Sequence, residues 1–198
     1  FVLLGLRGDA KTTILLKVYD NLMKQKNIRH EQILYFSCEE LNKIEDCDIY
    51  DTIKYYLKTF HNSSLQTLDE KLFLLIDESH FDKDWSLSGK IITDKSKNIF
   101  AIFTGSSAIN LEYNAEAARR MIRYPITPLN YSQHLKLKYN YHTDISNDLI
   151  DLLFNGNVDN AIIKEKQVNR DLLNLKNYHS MDWDNYFKFG GFPSVMHD

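Results

Sequence analysis

Short, almost uniformly apolar runs alternate along this chain with longer stretches in which apolar residues recur at helical spacing. Phe1–Leu4 reads as a buried strand. From Lys11 to about Lys24, Ile14, Leu15, Val18 and Leu22 share one helical face. Gln32–Phe36 predicts a second strand, rich in Ile, Leu, Tyr and Phe. Asp48 to about Phe60 predicts a helix with Ile49, Ile53, Tyr56, Leu57 and Phe60 on one side, broken by the polar His61–Ser64. Lys71–Ile76 and Ile99–Phe103 are apolar at nearly every position, the pattern of strands covered on both faces. Arg123–Ile126 reads as a short fifth strand, ended by Pro125 and Pro128.

Doubly covered strands separated by helices indicate a mostly parallel sheet with helices on each side, an α/β three-layer sandwich of about five strands. After Leu129 the pattern changes. Tyr131–Tyr139, Asp144–Phe154 and Val158–Lys166 read as helices, and aromatic residues become frequent. The expected organisation is a sheet domain over residues 1–130 followed by a helical extension over 131–198.

Composition narrows the class. With 198 residues, 43% of them hydrophobic, the chain can bury one sizeable core. Its 24 basic and 27 acidic residues leave a formal charge of −3, so nothing global points to nucleic acid or an anionic membrane. The longest apolar runs, Leu72–Ile76 and Ile99–Phe103, are about a quarter of a membrane span. No charged-then-apolar leader opens the sequence, which leaves secretion unsupported. Cys38 and Cys47 fit neither a disulfide framework nor a metal site, and a reducing cytoplasm suits them. Phe1-Val2-Leu3-Leu4 reads as a strand already under way and Gly190–Val195 as mid-element, so further sequence is expected on both sides.

Few glycines occur, and their placement is informative. Gly5-Leu6-Arg7-Gly8-Asp9-Ala10-Lys11-Thr12-Thr13 lies between the first strand and the first helix. This is a phosphate-binding loop pattern with Ala10 where the second glycine belongs. In such a loop the backbone N–H groups and the positive helix N-terminus surround phosphates, Lys11 reaches the β- and γ-phosphates, and Thr12 ligates magnesium. Asp9 adds a negative charge that should weaken phosphate binding unless it points to solvent or pairs with Arg7. The third strand ends in Asp77-Glu78, placed for a magnesium-supporting acid and a water-polarising one. Thr104 and Ser106, at the end of the fourth strand, are candidate γ-phosphate sensors. Arg119, Arg120 and Arg123 are candidates for neutralising phosphoryl charge. The bland alternatives are a capped turn, solvated strand-end acids and solvated arginines; loop and acids together favour the nucleotide site. The seven histidines show no metal-ligand spacing, and His80 reads as a surface residue.

These residues resemble a group of archaeal and bacterial AAA-type P-loop ATPases. The likeness rests on Gly5–Thr13, Leu72–Glu78 followed by Trp85, Thr104-Gly105-Ser106-Ser107, Pro128-Leu129-Asn130-Tyr131-Ser132, and Tyr186 through Phe189-Gly190-Gly191-Phe192-Pro193, in that order along nearly the whole chain. The resemblance implies a P-loop NTPase fold of the additional-strand, catalytic-glutamate class, with the loop strand between the fourth strand and an edge fifth strand. It also implies kinship with STAND-like switch ATPases and a helical part that begins a lid or winged-helix region. By carry-over, Gly5 to Thr13 form the Walker A cradle and Asp77 the Walker B acid. Lys11 and Thr12 then hold phosphate and magnesium, Glu78 is the catalytic base, Thr104 or Ser106 senses γ-phosphate, and Arg119 or Arg120 matches the arginine stretch. The departures are Leu6, Asp9 and Ala10.

The function expected is therefore that of a cytoplasmic Mg2+-dependent ATPase, slow because of Asp9-Ala10, that drives a conformational switch. ATP is favoured over GTP because no Asn-Lys-x-Asp motif follows the fourth strand. Self-association or an effector domain is the expected partnership, and nucleic acid enters only by analogy with the family. The alternatives are a nucleotide sensor that binds ATP or ADP without turnover, and an interaction scaffold with an empty site.

Overall fold

The computed structural model describes residues 1–44, 47–105 and 121–195. Ser106, Ser107, Arg119 and Arg120 lie outside the described residues. The chain forms two compact units, Phe1–Thr127 and Pro128–Asp198.

In the first unit, β1 (Val2–Leu4), β2 (Ile33–Ser37), β3 (Leu72–Asp77), β4 (Ile99–Gly105) and β5 (Arg123–Pro125) form one sheet in the order β2-β3-β4-β1-β5. Every pairing is parallel. This is the predicted α/β class and strand order, with β1 between β4 and the edge strand β5. Because the sheet is parallel, all the strands end on the same side, and the loops that follow them share one rim.

The period-two geometry of a strand sorts the apolar residues into two cores. On one face, Leu72, Leu74 and Ile76 of β3, Val2 of β1 and Phe103 of β4 meet α3 (Ile49–Phe60) and α4 (Trp85–Lys95) through Ile49, Ile53, Leu57, Trp85 and Ile92. On the other, Leu75, Leu3, Ile33 and Ile102 meet Leu15 and Leu22 of α1 (Lys11–Met23). Leu72, Leu74, Leu75 and Ile76 are wholly buried, each stabilising the fold by about 2–3 kcal/mol. The Asp48 side chain opens α3 by accepting the Asp51 N–H at 2.7 Å.

Two helices of this unit lack a sequence forecast. The short α2 (Cys38–Ile44) follows β2 without a loop. Helix α4 is written in weak helix formers, Ser, Gly, Ile and Thr, and is held by packing instead. Its Gly89 lies so close to its neighbours that an added Cβ would stand 2.1 Å from the Met121 Cε and 3.3 Å from the Phe103 ring.

The second unit is helical: α5 (Tyr131–Tyr139), α6 (Ser146–Asn155), α7 (Val158–Leu173) and α8 (Asp182–Phe189). Helix α7 runs beyond the predicted Lys166, and α8 was not forecast. Asn130 and Gln133 cap α5 reciprocally at 2.9 Å in each direction. The double glycine has a steric cause. The Leu129 N–H donates to the Gly191 carbonyl at 2.7 Å, and a Cβ on Gly191 would fall 1.7 Å from the Leu129 oxygen.

Candidate functional site

β1 delivers the chain at Leu4 to the loop Gly5–Ala10, and α1 begins at Lys11. The turn into the helix demands left-handed backbone: Gly8 has φ 95° and Ala10 φ 60°, ψ 25°. Glycine adopts this region freely, whereas alanine is strained there. No side chain caps the first turn of α1, so its backbone N–H groups are available to an anion. Lys11 is 5% exposed, and its ammonium donates to the Gly5 carbonyl at 2.9 Å and the Leu6 carbonyl at 2.5 Å. Gly5 is irreplaceable for a local reason. A Cβ there would meet the Ile126 oxygen at 2.7 Å and the Asp9 Oδ2 at 2.8 Å.

Asp9 neither points to solvent nor turns toward Arg7. Its side chain is buried within the loop, where Oδ2 accepts the Leu6 N–H at 2.5 Å and Oδ1 has no hydrogen-bond partner. Arg7, Leu6, Thr12 and Thr13 are exposed.

The loop meets the third strand directly. The Thr12 hydroxyl donates to the Asp77 Oδ2 at 2.7 Å. Asp77 is 4% exposed, and its other oxygen accepts the hydroxyl of Thr104 at the end of β4. Thr104 is wholly buried. Its Oγ1 also accepts the Glu78 N–H at 3.0 Å, and its carbonyl accepts the Ser79 hydroxyl at 2.7 Å. The start of α1 and the ends of β3 and β4 are thus tied into one chain of contacts, Thr12–Asp77–Thr104–Glu78, closed by Ser79. The Thr104 hydroxyl is committed on both sides to protein groups.

Glu78 carries left-handed backbone, φ 49° and ψ 43°, an uncommon state for a glutamate that the Thr104 contact holds in place. Among the described residues its Oε2 makes no aligned hydrogen bond, and the His80 Nδ1 lies 3.2 Å from it. The His80 side chain is largely buried rather than at the surface, because the turn Ser79–Phe81 folds it back beside Glu78. Cys38, at the start of α2, registers the local charge. Burial first, and then the carboxylates of Asp82, Asp77 and Glu78, push its thiol up to about 12.

Sequence reasoning named Lys11, Thr12, Asp77, Glu78 and Thr104 as candidates, and the structure places them side by side. It missed Ser79 and His80. Ser79 had no sequence signal of its own, while His80 carried only its nearness to the acids. Among the described residues no group of three His, Cys, Asp or Glu side chains can hold a metal. A hydroxyl and a carboxylate converging at 2.7 Å are instead the hard oxygen donors magnesium takes when phosphates and water complete its shell.

The family model described as an AAA domain matches residues 1–135. The uncharacterized protein MJ1637 of Methanocaldococcus jannaschii is 32% identical over 197 residues, covering all of this chain and 38% of that protein. An uncharacterized protein of Haemophilus influenzae is 25% identical over 201 residues, covering 98% of this chain and 40% of its own length. The chain thus spans about two fifths of these relatives. Among solved structures, the Walker-type ATPase PABY2304 of Pyrococcus abyssi superposes with a TM-score of 0.44 at 14% identity, over 96% of this chain and 71% of that one. The structure of C. elegans PCH-2 gives a TM-score of 0.42 at 11% identity, over 65% and 35%.

Proposed function

The chain belongs to the AAA domain family, and on that premise we propose that it binds Mg2+-ATP in the Gly5–Thr13 loop and hydrolyses it slowly to drive a conformational switch. The observation that carries this reading is the 2.7 Å contact between Thr12 and Asp77, 65 residues apart in sequence. A turn and a strand end with only structural duties have no need to converge there. Lys11, now turned onto two loop carbonyls, is the charge that would move to the β- and γ-phosphates. Thr12 and Asp77 would hold magnesium, which supplies charge neutralisation for the transferring phosphoryl group. Glu78 would accept a proton from the attacking water, its carboxylate directed by the fixed backbone at Thr104. With its hydroxyl already engaged by the Asp77 carboxylate and the Glu78 backbone N–H, Thr104 would act on γ-phosphate by positioning those two residues. Roles for Ser106 as a sensor and for Arg119 or Arg120 at the phosphoryl group complete the reading from the family resemblance.

A cytoplasmic protein fits this proposal, and no helix among the described residues is long and apolar enough to cross a membrane. The helical unit Pro128–Asp198 is read as the start of a lid or winged-helix region that passes the switch to an effector or a second copy.

The test is phosphate release by the parent, Lys11→Ala and Glu78→Gln, together with the melting shift induced by Mg2+-ATP. Both substitutions should lower release by at least roughly 100-fold. Lys11→Ala should also abolish the melting shift, and Glu78→Gln should keep it. Release equal to the parent in both variants would overturn catalysis at this site. A melting shift without release in the parent would establish the sensor reading instead.

A further inference from the structure

We infer that Asp9 is a resident anion of the phosphate loop, which weakens nucleotide binding in proportion to the ligand's phosphate charge and so biases the site against the triphosphate relative to the diphosphate. The inference rests on the ATP reading above and concerns how that same site discriminates.

The argument starts from burial. Asp9 is 3% exposed and has no ionic partner among the described residues, a rare state for an aspartate. One oxygen is satisfied by a single backbone donor, the Leu6 N–H at 2.5 Å. The other, Oδ1, is buried and accepts nothing among the described residues. The only cation of the loop core, Lys11, is directed to the carbonyls of Gly5 and Leu6 and forms no ion pair with Asp9. Negative charge therefore occupies a segment whose free N–H groups and helix N-terminus favour anions. A polyphosphate entering the loop draws Lys11 away from its carbonyls and meets a carboxylate that water cannot screen well. Each further phosphate charge adds repulsion of the same sign. The backbone constrains any escape. The Leu6 N–H holds Oδ2 at 2.5 Å beside Gly5, so the carboxylate is tethered to the loop.

Asp9→Asn removes the charge while keeping an oxygen for the Leu6 N–H. Titration calorimetry of Mg2+-ATP and Mg2+-ADP against the parent, Asp9→Asn and Lys11→Ala is the experiment. Asp9→Asn should bind Mg2+-ATP roughly tenfold more tightly than the parent and gain less for Mg2+-ADP. Its nucleotide-free melting temperature should stay near the parent's. Asp9→Ser, smaller and equally neutral, repeats the measurement should the amide not be accommodated. Parent-like affinities in the neutral variants, with parent binding abolished by Lys11→Ala, would overturn the inference and leave the ATP reading standing. An equal gain for both nucleotides would assign Asp9 an effect of shape and overturn it too. Absence of binding in every protein would overturn both.

Discussion

The two units are stabilised by different means. In Phe1–Thr127 the sheet is covered on both faces, and β3 contributes four wholly buried aliphatic side chains. In Pro128–Asp198 the buried apolar side chains among the described residues are Leu135 and Leu172. Leu153 and Phe154 of α6 are 77% and 82% exposed, and Phe187 of α8 is 79% exposed. A cleft of about 620 Å³ opens between α5, α6 and α7, lined by Leu135, Leu149, Leu152, Ile162 and Leu172. A polar cluster compensates for this thin core. Asp182, 2% exposed, accepts from Lys138 at 2.7 Å and Tyr139 at 2.8 Å, with the His134 Nε2 at 3.1 Å. Burial acts to raise the Asp182 carboxyl, but the hydrogen bonds from Lys138 and Tyr139 outweigh it and hold the group below its ordinary range. The sheet unit, with its deep apolar reserve, can carry strained and unsatisfied groups at Ala10, Asp9 and Glu78. The helical unit relies on a few polar and aromatic ties, of which the buried Asp182 carboxylate gathers the most hydrogen bonds.

The sharpest way to break this contrast is one substitution in each unit. Leu74→Ala leaves a cavity in the main core and should cost about 3–4 kcal/mol, lowering the urea midpoint and the nucleotide-free melting temperature of the whole sheet unit together. Asp182→Asn should cost about 2 kcal/mol and act locally, raising protease sensitivity of α5 and α8 while phosphate release stays close to the parent's. Its pH dependence has a definite sign. A carboxyl held below its ordinary 3.8 contributes stability above that pH and loses it as the pH falls through the lower folded value. The gap in urea midpoint between parent and Asp182→Asn should therefore be constant near neutrality and close in acid. A gap that widens on acidification would refute the assignment.

The same contrast governs what the sequence disclosed. The strands of the sheet unit were readable because burial on both faces leaves almost no polar residue in them, as in Leu72–Ile76. Lys11, Thr12 and Asp77 stood out as candidates because a phosphate loop pattern places its residue types at fixed positions in a strand–loop–helix unit, and the structure sets Thr12 against Asp77. Helix α4 was not, since its Ser-Leu-Ser-Gly run is helical through the packing of Trp85, Gly89 and Ile92 rather than through propensity. Helix α8 was hidden similarly: its anchor is the buried Asp182, a residue type that normally signals solvent. The commitment of the Thr104 hydroxyl to Asp77 and Glu78 depends on the register that sets β4 beside β3, a long-range fact outside any local pattern.

Ala10→Gly is the mildest probe, and two opposing terms decide its outcome. Glycine removes the strain of a methyl-bearing residue at φ 60°, worth about 1 kcal/mol, while adding a similar entropy to the unfolded chain. The nucleotide-free melting temperature should consequently change little. Affinity should respond more, because the Lys11 ammonium on the Gly5 and Leu6 carbonyls and the Leu6 N–H on Asp9 brace the left-handed turn in the free protein. Bound phosphate takes Lys11 away, so part of that brace is lost and the strain at Ala10 weighs more on the bound loop than on the free one. Glycine should then tighten Mg2+-ATP by roughly twofold to fivefold in calorimetry, less than Asp9→Asn. Combined, the two changes should add nearly in free energy if charge at Asp9 and strain at Ala10 are separate burdens, and fall short of the sum if relaxing the backbone already lets the carboxylate move aside.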